Sequence, residues 1–268
     1  MTQMKDGHQP IAMSIAGSDS SCGAGIQVDL RMFSARGVYG TTVLTALTAQ
    51  NPLEVRAVQG LEAVFVQTQM ETVLDKMPVA AIKTGMLWSA EIIKTVSTTL
   101  KNYAQIPCVV DPVMIATSGA QLITDDAVEA YKNYLFPQCT LATPNIDEAQ
   151  VLLGQGSIGR ESQEDAARTL FDKLGCSILL KGGHLQGDPV DLLFDGKQVW
   201  RFEQKRLENV NTHGSGCMLS AAIAAELAKK QELQHAVGQA LKAVHVALAN
   251  PSLLTSELSL AAVEVARD

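Results

Sequence analysis

The 268 residues are 47% hydrophobic and 18% charged, with 20 glycines, enough for a sizeable core joined by tight turns; no stretch has linker composition, so residues 1–268 read as a single soluble globular domain. A net charge of -7 argues against nucleic acid or an anionic membrane as partner, so any anionic ligand has to be held by local dipoles and a few lysines. Five cysteines without a C-x-x-C pair, five scattered histidines and no apolar run of roughly 18 residues argue against disulfides, structural zinc and a membrane span, leaving the cytoplasm as the expected compartment.

In chain order, residues 11–16, "IAMSIA", are short, apolar and followed by glycine, as in a buried strand. The loop "GSDSSCGAG" leads into a helix in which Ile26, Leu30 and Phe33 keep helical spacing and Gly37 ends the run. "TTVLTALTAQN", from Thr41, is rich in β-branched residues and predicts a second strand carrying Gln50 at its end. A helix over 62–76 precedes the strand "VAAIKTG", which stops at Gly85-Met86. A helix over 89–103 precedes "PCVVDPV", where Pro112 breaks the strand after Asp111. Then come a helix over 124–135, the strand "CTLAT", and "PNIDEAQVLLG" as a helix with Pro144 in its first turn. A helix over 162–174 and the strand "CSILLKGGH" follow, and "VDLLFDG" with "KQVWRFE" predicts a hairpin turning at Asp195-Gly196. Two mostly apolar helices close the pattern, the second over 233–249 and ended by Pro251; the tail from Ser252 is assigned one more helix.

Strands alternating with helices predict an α/β fold of three layers, a mostly parallel central sheet with helices on both faces. Ligands of such sheets bind beyond the carboxyl ends of the strands. Asp19, Gln50, Met86, Asp111, Asn145 and Lys181 fall at those ends. So does the stretch "NTHGSGC", residues 211–217, which opens the helix marked by Leu219, Ile223 and Leu227 and closed by Lys229 and Lys230. Gly214 and Gly216, with Ser215 between them, let the backbone approach a ligand, and a helix start points free N–H groups at it, which makes an anion cradle. Cys217 stands at its inner edge, where the helix dipole and amide donors are expected to stabilise a thiolate. Asp111 suits a Mg²⁺-facing carboxylate or, equally, a turn residue; Asn145 and Glu148 suit metal and nucleotide contacts or ordinary capping. Lys181 before Gly182-Gly183 suits phosphates or a solvated turn. Met86 and Met114 suit packing or the face of a flat ring, and His184 and His213 stay open between structural and catalytic roles.

Seven stretches, "IAGSDSSCGAGIQVDL", "LTALTAQN", "KTGML", "VVDPVMIATSG", "TPNIDEA", "LLKGGH" and the cradle with its helix, together resemble the ribokinase-like superfamily, specifically the hydroxymethylpyrimidine and phosphomethylpyrimidine kinases of thiamine biosynthesis, from Ile11 to Ala249. The resemblance implies a three-layer ribokinase-like fold, ATP and Mg²⁺ as cofactors, and two successive phosphoryl transfers, onto the alcohol of 4-amino-5-hydroxymethyl-2-methylpyrimidine and then onto its monophosphate. It implies an anion hole at Gly214, Ser215, Gly216 and Cys217, with Cys217 as the base where sugar kinases use aspartate. It places Gly17, Asp19, Ala24, Thr48, Gln50, Met86 and Val113 in the substrate pocket, with Gln50 on the aminopyrimidine edge. Asn145, Lys181, Thr212 and Gly214 match ATP contacts, and Asp111 and Glu148 the Mg²⁺ region. It also suggests a homodimer. Ser20 and Cys22 stand where the family usually has proline and glycine, Thr48 where valine is frequent, and Met218 where threonine is usual. A pyridoxal or pyridoxine kinase of the same fold is the alternative substrate reading, and a ligand-binding sensor without turnover the alternative class.

Overall fold

The computed structural model describes residues 8–114, 124–154, 156–254 and 259–263. The chain runs through β1 (Ile11–Asp19), α1 (Gly25–Ala35), β2 (Tyr39–Asn51), β3 (Glu54–Gly60), α2 (Ala63–Leu74), β4 (Val79–Thr84), α3 (Ala90–Leu100), β5 (Cys108–Val110), α4 (Asp125–Ala130) and β6 (Leu141–Ala142). It continues through α5 (Ile146–Leu153), α6 (Gln163–Leu174), β7 (Ser177–Leu180), β8 (Val190–Phe194), β9 (Val199–Glu203), α7 (Ser215–Ala228), α8 (Leu233–Ala249), β10 (Pro251–Leu253) and β11 (Ser259–Ala261). Nine strands make one sheet in the order β3-β2-β1-β4-β5-β6-β7-β8-β9. The centre, β2 to β7, is parallel, and antiparallel β3, β8 and β9 complete the edges.

The strand pleat sends neighbouring residues to opposite layers. Ala12, Ala81, Val109, Leu141 and Leu179 pack toward α1, α7 and α8, whereas Met13, Ile82, Val110, Ala142 and Leu180 pack toward α2 to α6. Strands covered on both faces explain why "IAMSIA" and "CSILL" read as apolar runs rather than as alternations. Helix α7 is mostly apolar and buried all round from Met218 to Ala228, with Ser220 and the ion-paired Glu226 as its buried polar residues, because it lies under α1 and α8 and against the sheet. Met218, unusual at its position, is part of that core at 1% exposure.

Three expectations are corrected. Strand β3 falls on a stretch assigned no element; its side chains are largely exposed, so it lacks the apolar signature of the buried strands. Pro144 is not in the first turn of α5, since Asn145 is the N-cap: its side chain accepts from the Glu148 amide while Glu148 returns a bond to the Asn145 amide, both at 2.8 Å. The tail does not form a helix over its described part. Residues Pro251–Leu253 and Ser259–Ala261 pair antiparallel, held where Asn211 Nδ2 donates to the Ser259 carbonyl at 2.8 Å and the Ala262 amide to the Ala247 carbonyl at 3.1 Å. Residues 115–119 of the motif "VVDPVMIATSG", and 255–258 and 264–268 of the tail, lie outside the described residues.

Candidate active site

Beyond the carboxyl ends of the parallel strands lies a cavity of about 730 Å³, and every residue singled out above for catalysis, substrate, nucleotide or metal lines it. On one side is the loop after β1, folded around the carboxylate of Asp19. That carboxylate accepts from the Ser21 amide and hydroxyl, both at 2.8 Å, and from the amides of Gly23 at 3.0 Å and Ala24 at 2.8 Å. Burial works to raise the Asp19 pKa, but the neighbouring His213 ring and the hydrogen bonds from Ser21 and Ala24 outweigh it and hold the group below the usual carboxylate range. His213 Nε2 lies 3.6 Å from the same carboxylate. A Cβ on Gly17 would sit 2.5 Å from the methyl of Met86, so the bare backbone leaves the tip of that side chain its place. Thr48 turns its hydroxyl to the Ser18 carbonyl at 2.9 Å and to Gln50 Oε1 at 3.3 Å, so it ties β2 to β1 and orients Gln50. Ser20 donates its hydroxyl to the Thr48 carbonyl.

Cys22 occupies the left-handed region, φ 62°, where glycine is the unstrained residue. A left-handed L-residue costs about 1–2 kcal/mol, against about 0.5–1 kcal/mol of added chain entropy for glycine. Cys22→Gly is therefore expected to raise Tm by about 2 °C in a thermal melt; a lowered Tm would contradict the strain.

On the other side is the cradle. Gly214 is left-handed, φ 76°, and a Cβ there would lie 1.9 Å from the Gly23 carbonyl oxygen, so the cradle and the Asp19 loop touch backbone to backbone. The Ser215 amide is bonded to the Thr212 carbonyl at 3.0 Å, which closes the turn into α7. At Gly216 a Cβ would stand 3.3 Å from Lys181 Nζ and 3.6 Å from Asp111 Oδ2, so the bare backbone lets that pair lie against the helix start. Cys217 is partly buried. Its thiol does not have the lowered pKa its helix position suggests: burial, reinforced by Asp29 and Asp111, pushes it up to about 11 against the opposing effects of Lys83 and the Gly25 amide. Desolvation outweighs the helix start here.

Asp111 follows β5 and is 2% exposed. It pairs with Lys181 Nζ at 3.1 Å and accepts from Thr143 Oγ1 at 3.3 Å and Ser220 Oγ at 3.2 Å. Glu148 is pushed up to about 7 by burial and by Asp111, with Lys181 acting against both. Although burial works to lower it, Lys181 is held above the usual lysine range by Asp111 and Glu148. Two buried carboxylates thus face a single ammonium, a surplus of negative charge that fits a divalent cation carried in with a nucleotide, for which one or two protein oxygens suffice. Among the described residues no cluster of three or more His, Cys, Asp or Glu could hold a metal by itself.

Sequence reasoning missed Lys83, which lines the cavity, its partner Asp29 and the Asp111 partner Ser220. The available signal was the lysine of "KTGML", a charge in an otherwise apolar strand. His184 lines the cavity near Lys181, paired with Asp147 at 2.7 Å and exposed. Met114 is core, 1% exposed.

A mostly parallel sheet whose strand ends meet a glycine cradle at a helix start is the arrangement of the ribokinase-like class. The chain superimposes on the ADP complex of Bacillus subtilis pyridoxal kinase with a TM-score of 0.89 and 32% identity, covering 96% of this chain and 98% of that one. The family model for phosphomethylpyrimidine kinase matches residues 19–259, and the chain belongs to that family. It is 45% identical to the hydroxymethylpyrimidine/phosphomethylpyrimidine kinase of Rhizobium meliloti, over 89% of this chain and 90% of that protein. It is 46% identical over 88% of its length to the thiamine biosynthesis bifunctional protein ThiED of Geobacter sulfurreducens, of which it spans 48%. Among the described residues no helix is long and apolar enough to cross a membrane.

Proposed function

We propose that the chain transfers the γ-phosphoryl group of ATP to the alcohol of 4-amino-5-hydroxymethyl-2-methylpyrimidine, and then a second phosphoryl group onto the monophosphate. The observation that carries this reading is a single cavity with Gln50, Met86, Val113 and the Asp19 loop on one side and the cradle, Asp111 and Lys181 on the other. A flat aminopyrimidine fits the first set: Gln50 offers an amide to the ring edge, and Gly17, Ala24 and Met86 offer apolar contact. Phosphoryl transfer passes through a loose transition state, so positioning and charge stabilisation do most of the work. The cradle amides of Gly214, Gly216 and Cys217 and the Lys181 ammonium then hold the phosphoryl oxygens, with Ser215 closing the turn that aims them, Asn145 and Thr212 orient the nucleotide, and Cys217 takes the hydroxymethyl proton as the oxygen attacks. Asp111 and Glu148 would hold a Mg²⁺ ion brought in with the nucleotide, which would supply further neutralisation of the phosphate charge. The reading includes a homodimer, which light scattering after gel filtration tests.

The test is MgATP-dependent phosphorylation of phosphomethylpyrimidine followed by product mass, with pyridoxal run in parallel. The diphosphate is the expected product. The similarity to pyridoxal kinase makes pyridoxal the second reading: phosphate on pyridoxal alone would keep the chemistry and replace the substrate, and no product from either would favour a sensor.

A further inference from the structure

Behind the cradle lies a buried ion pair that the proposed transfer leaves unused. Lys83 Nζ stands 2.7 Å from Asp29 Oδ2, and neither side chain is exposed to solvent. Asp29 Oδ2 also accepts from Ser14 Oγ at 2.5 Å, while its other oxygen has no partner. Desolvating two charges is costly, and a well-packed apolar pair at such a place is often as stable or more so. The neighbours of Lys83 on β4, Ala81 and Ile82, show what the core alone would ask for. The pair therefore calls for another explanation than stability.

Its placement supplies one. The pleat of β4 sends Ala81 and Lys83 toward the layer of α1 and α7, and α7 packs on both β4 and α1. Gly25, the first residue of α1, lines the same cavity as Cys217. Asp29 stands four residues on, one turn along the same face of α1. The carboxylate that fixes Lys83 is thus one helical turn from a residue that shares the cavity wall with the thiol. Gly85 keeps the space around the ammonium open, since a Cβ there would lie 2.8 Å from Lys83 Nζ, and Lys83 and Cys217 both line the cavity.

We propose that Lys83, fixed by Asp29 and Ser14, is a positioning residue that supplies the counter-charge under which Cys217 ionises, so that β4, α1 and α7 hold one electrostatic unit beneath the cradle. This rests on the reading of Cys217 as the proton acceptor. The charged groups whose fields reach the thiol are those of Lys83 from β4, Asp29 from α1, Asp111 beyond β5 and Lys181 beyond β7. Lys83 favours the thiolate, and Asp29 and Asp111 oppose it. When the substrate hydroxyl gives its proton to the thiolate, the product is the thiol; Lys83 keeps its proton throughout. Burial works to lower the Lys83 pKa, but Asp29, Cys217 and Asp111 hold it above the usual lysine range.

The experiment titrates Cys217 directly, by the pH dependence of iodoacetamide alkylation in the full chain, read by mass spectrometry on the peptide that contains it. Lys83→Met is expected to move the midpoint up by about one pH unit or more, slowing alkylation at pH 9 about tenfold, with kcat lowered in step and KM nearly unchanged. Asp29→Asn, which keeps the shape and removes the opposing charge, is expected to move the midpoint down. Lys83→Arg should restore most of the wild-type profile. A folded Lys83→Met protein with an unchanged alkylation profile overturns the proposal, and if that variant does not fold, an unmoved midpoint in Asp29→Asn overturns it instead. Should Cys217→Ala keep full turnover while Lys83→Met still shifts the alkylation midpoint, the base assignment fails and the coupling stands.

Discussion

Replacing Gly214 by alanine is expected to lower kcat by about 10²–10³-fold, the scale seen when a donor is removed from an anion hole. The alanine methyl would have to occupy a point 1.9 Å from the Gly23 carbonyl oxygen, on a backbone at φ 76° that already disfavours any side chain. One of the two backbones must move. The Asp19 loop is tied by four hydrogen bonds to one buried carboxylate, and the cradle is held by the turn from Thr212 to Ser215. Whichever gives way, the Asp19 loop and the cradle lose their register, so on the proposed reading KM for the alcohol is expected to rise together with the fall in kcat. Gly216→Ala is the informative partner. Its Cβ would meet the tip of the Lys181 side chain at 3.3 Å, which can shift, so a smaller loss confined mainly to kcat is expected. Circular dichroism and a thermal melt separate misfolding from a local effect. A folded Gly214→Ala protein within threefold of wild-type kcat would remove the cradle from the proposed mechanism.

How far these features could be read from the chain depends on whether their cause is local or tertiary. Periodicity found the buried strands and the amphipathic helices, because burial on both faces writes itself into "IAMSIA" and "CSILL" and helical spacing into Ile26, Leu30 and Phe33. It missed β3, whose exposed side chains leave no pattern and whose existence depends on pairing with β2. The polar residues at strand ends were legible because a short apolar run that stops at Asp111, Lys181 or Gln50 marks its own carboxyl end. Asn145 and Glu148 were legible twice over: their spacing suits a capping box, which forms, and the same pair still lines the cavity. Thr48 and Ser20 looked like pocket residues or loop variants, yet their hydroxyls tie the first loop to β2. Lys83 and Asp29 are 54 residues apart and meet only because β4 and α1 share a layer. The thiol of Cys217 was misjudged for the same reason, since a helix start is visible in sequence and desolvation is not.

That misjudged thiol carries the second large effect. Cys217→Ala is expected to reduce kcat by about 10²-fold or more if the thiolate is the proton acceptor. With the pKa raised to about 11 in the free site, the thiolate is the minor form at neutral pH, and its fraction grows about tenfold for each pH unit below that value. The sign follows directly: kcat/KM, which reports the free enzyme, should climb from pH 7 to pH 10 with a slope near one, without the plateau near pH 8.5 that an unperturbed thiol would give. Cys217→Ala should flatten that climb, so the two proteins differ most at high pH. Cys217→Asp introduces an acceptor ionised over the whole range, and it should recover part of the lost turnover with a flat profile around neutrality. The measurement is kcat/KM against pH for the three proteins with 4-amino-5-hydroxymethyl-2-methylpyrimidine, whose alcohol carries the proton in question, at saturating MgATP and constant ionic strength. A wild-type profile already level at pH 8, or an alanine variant that keeps the climb, would take the proton from Cys217 and assign it to another group or to solvent.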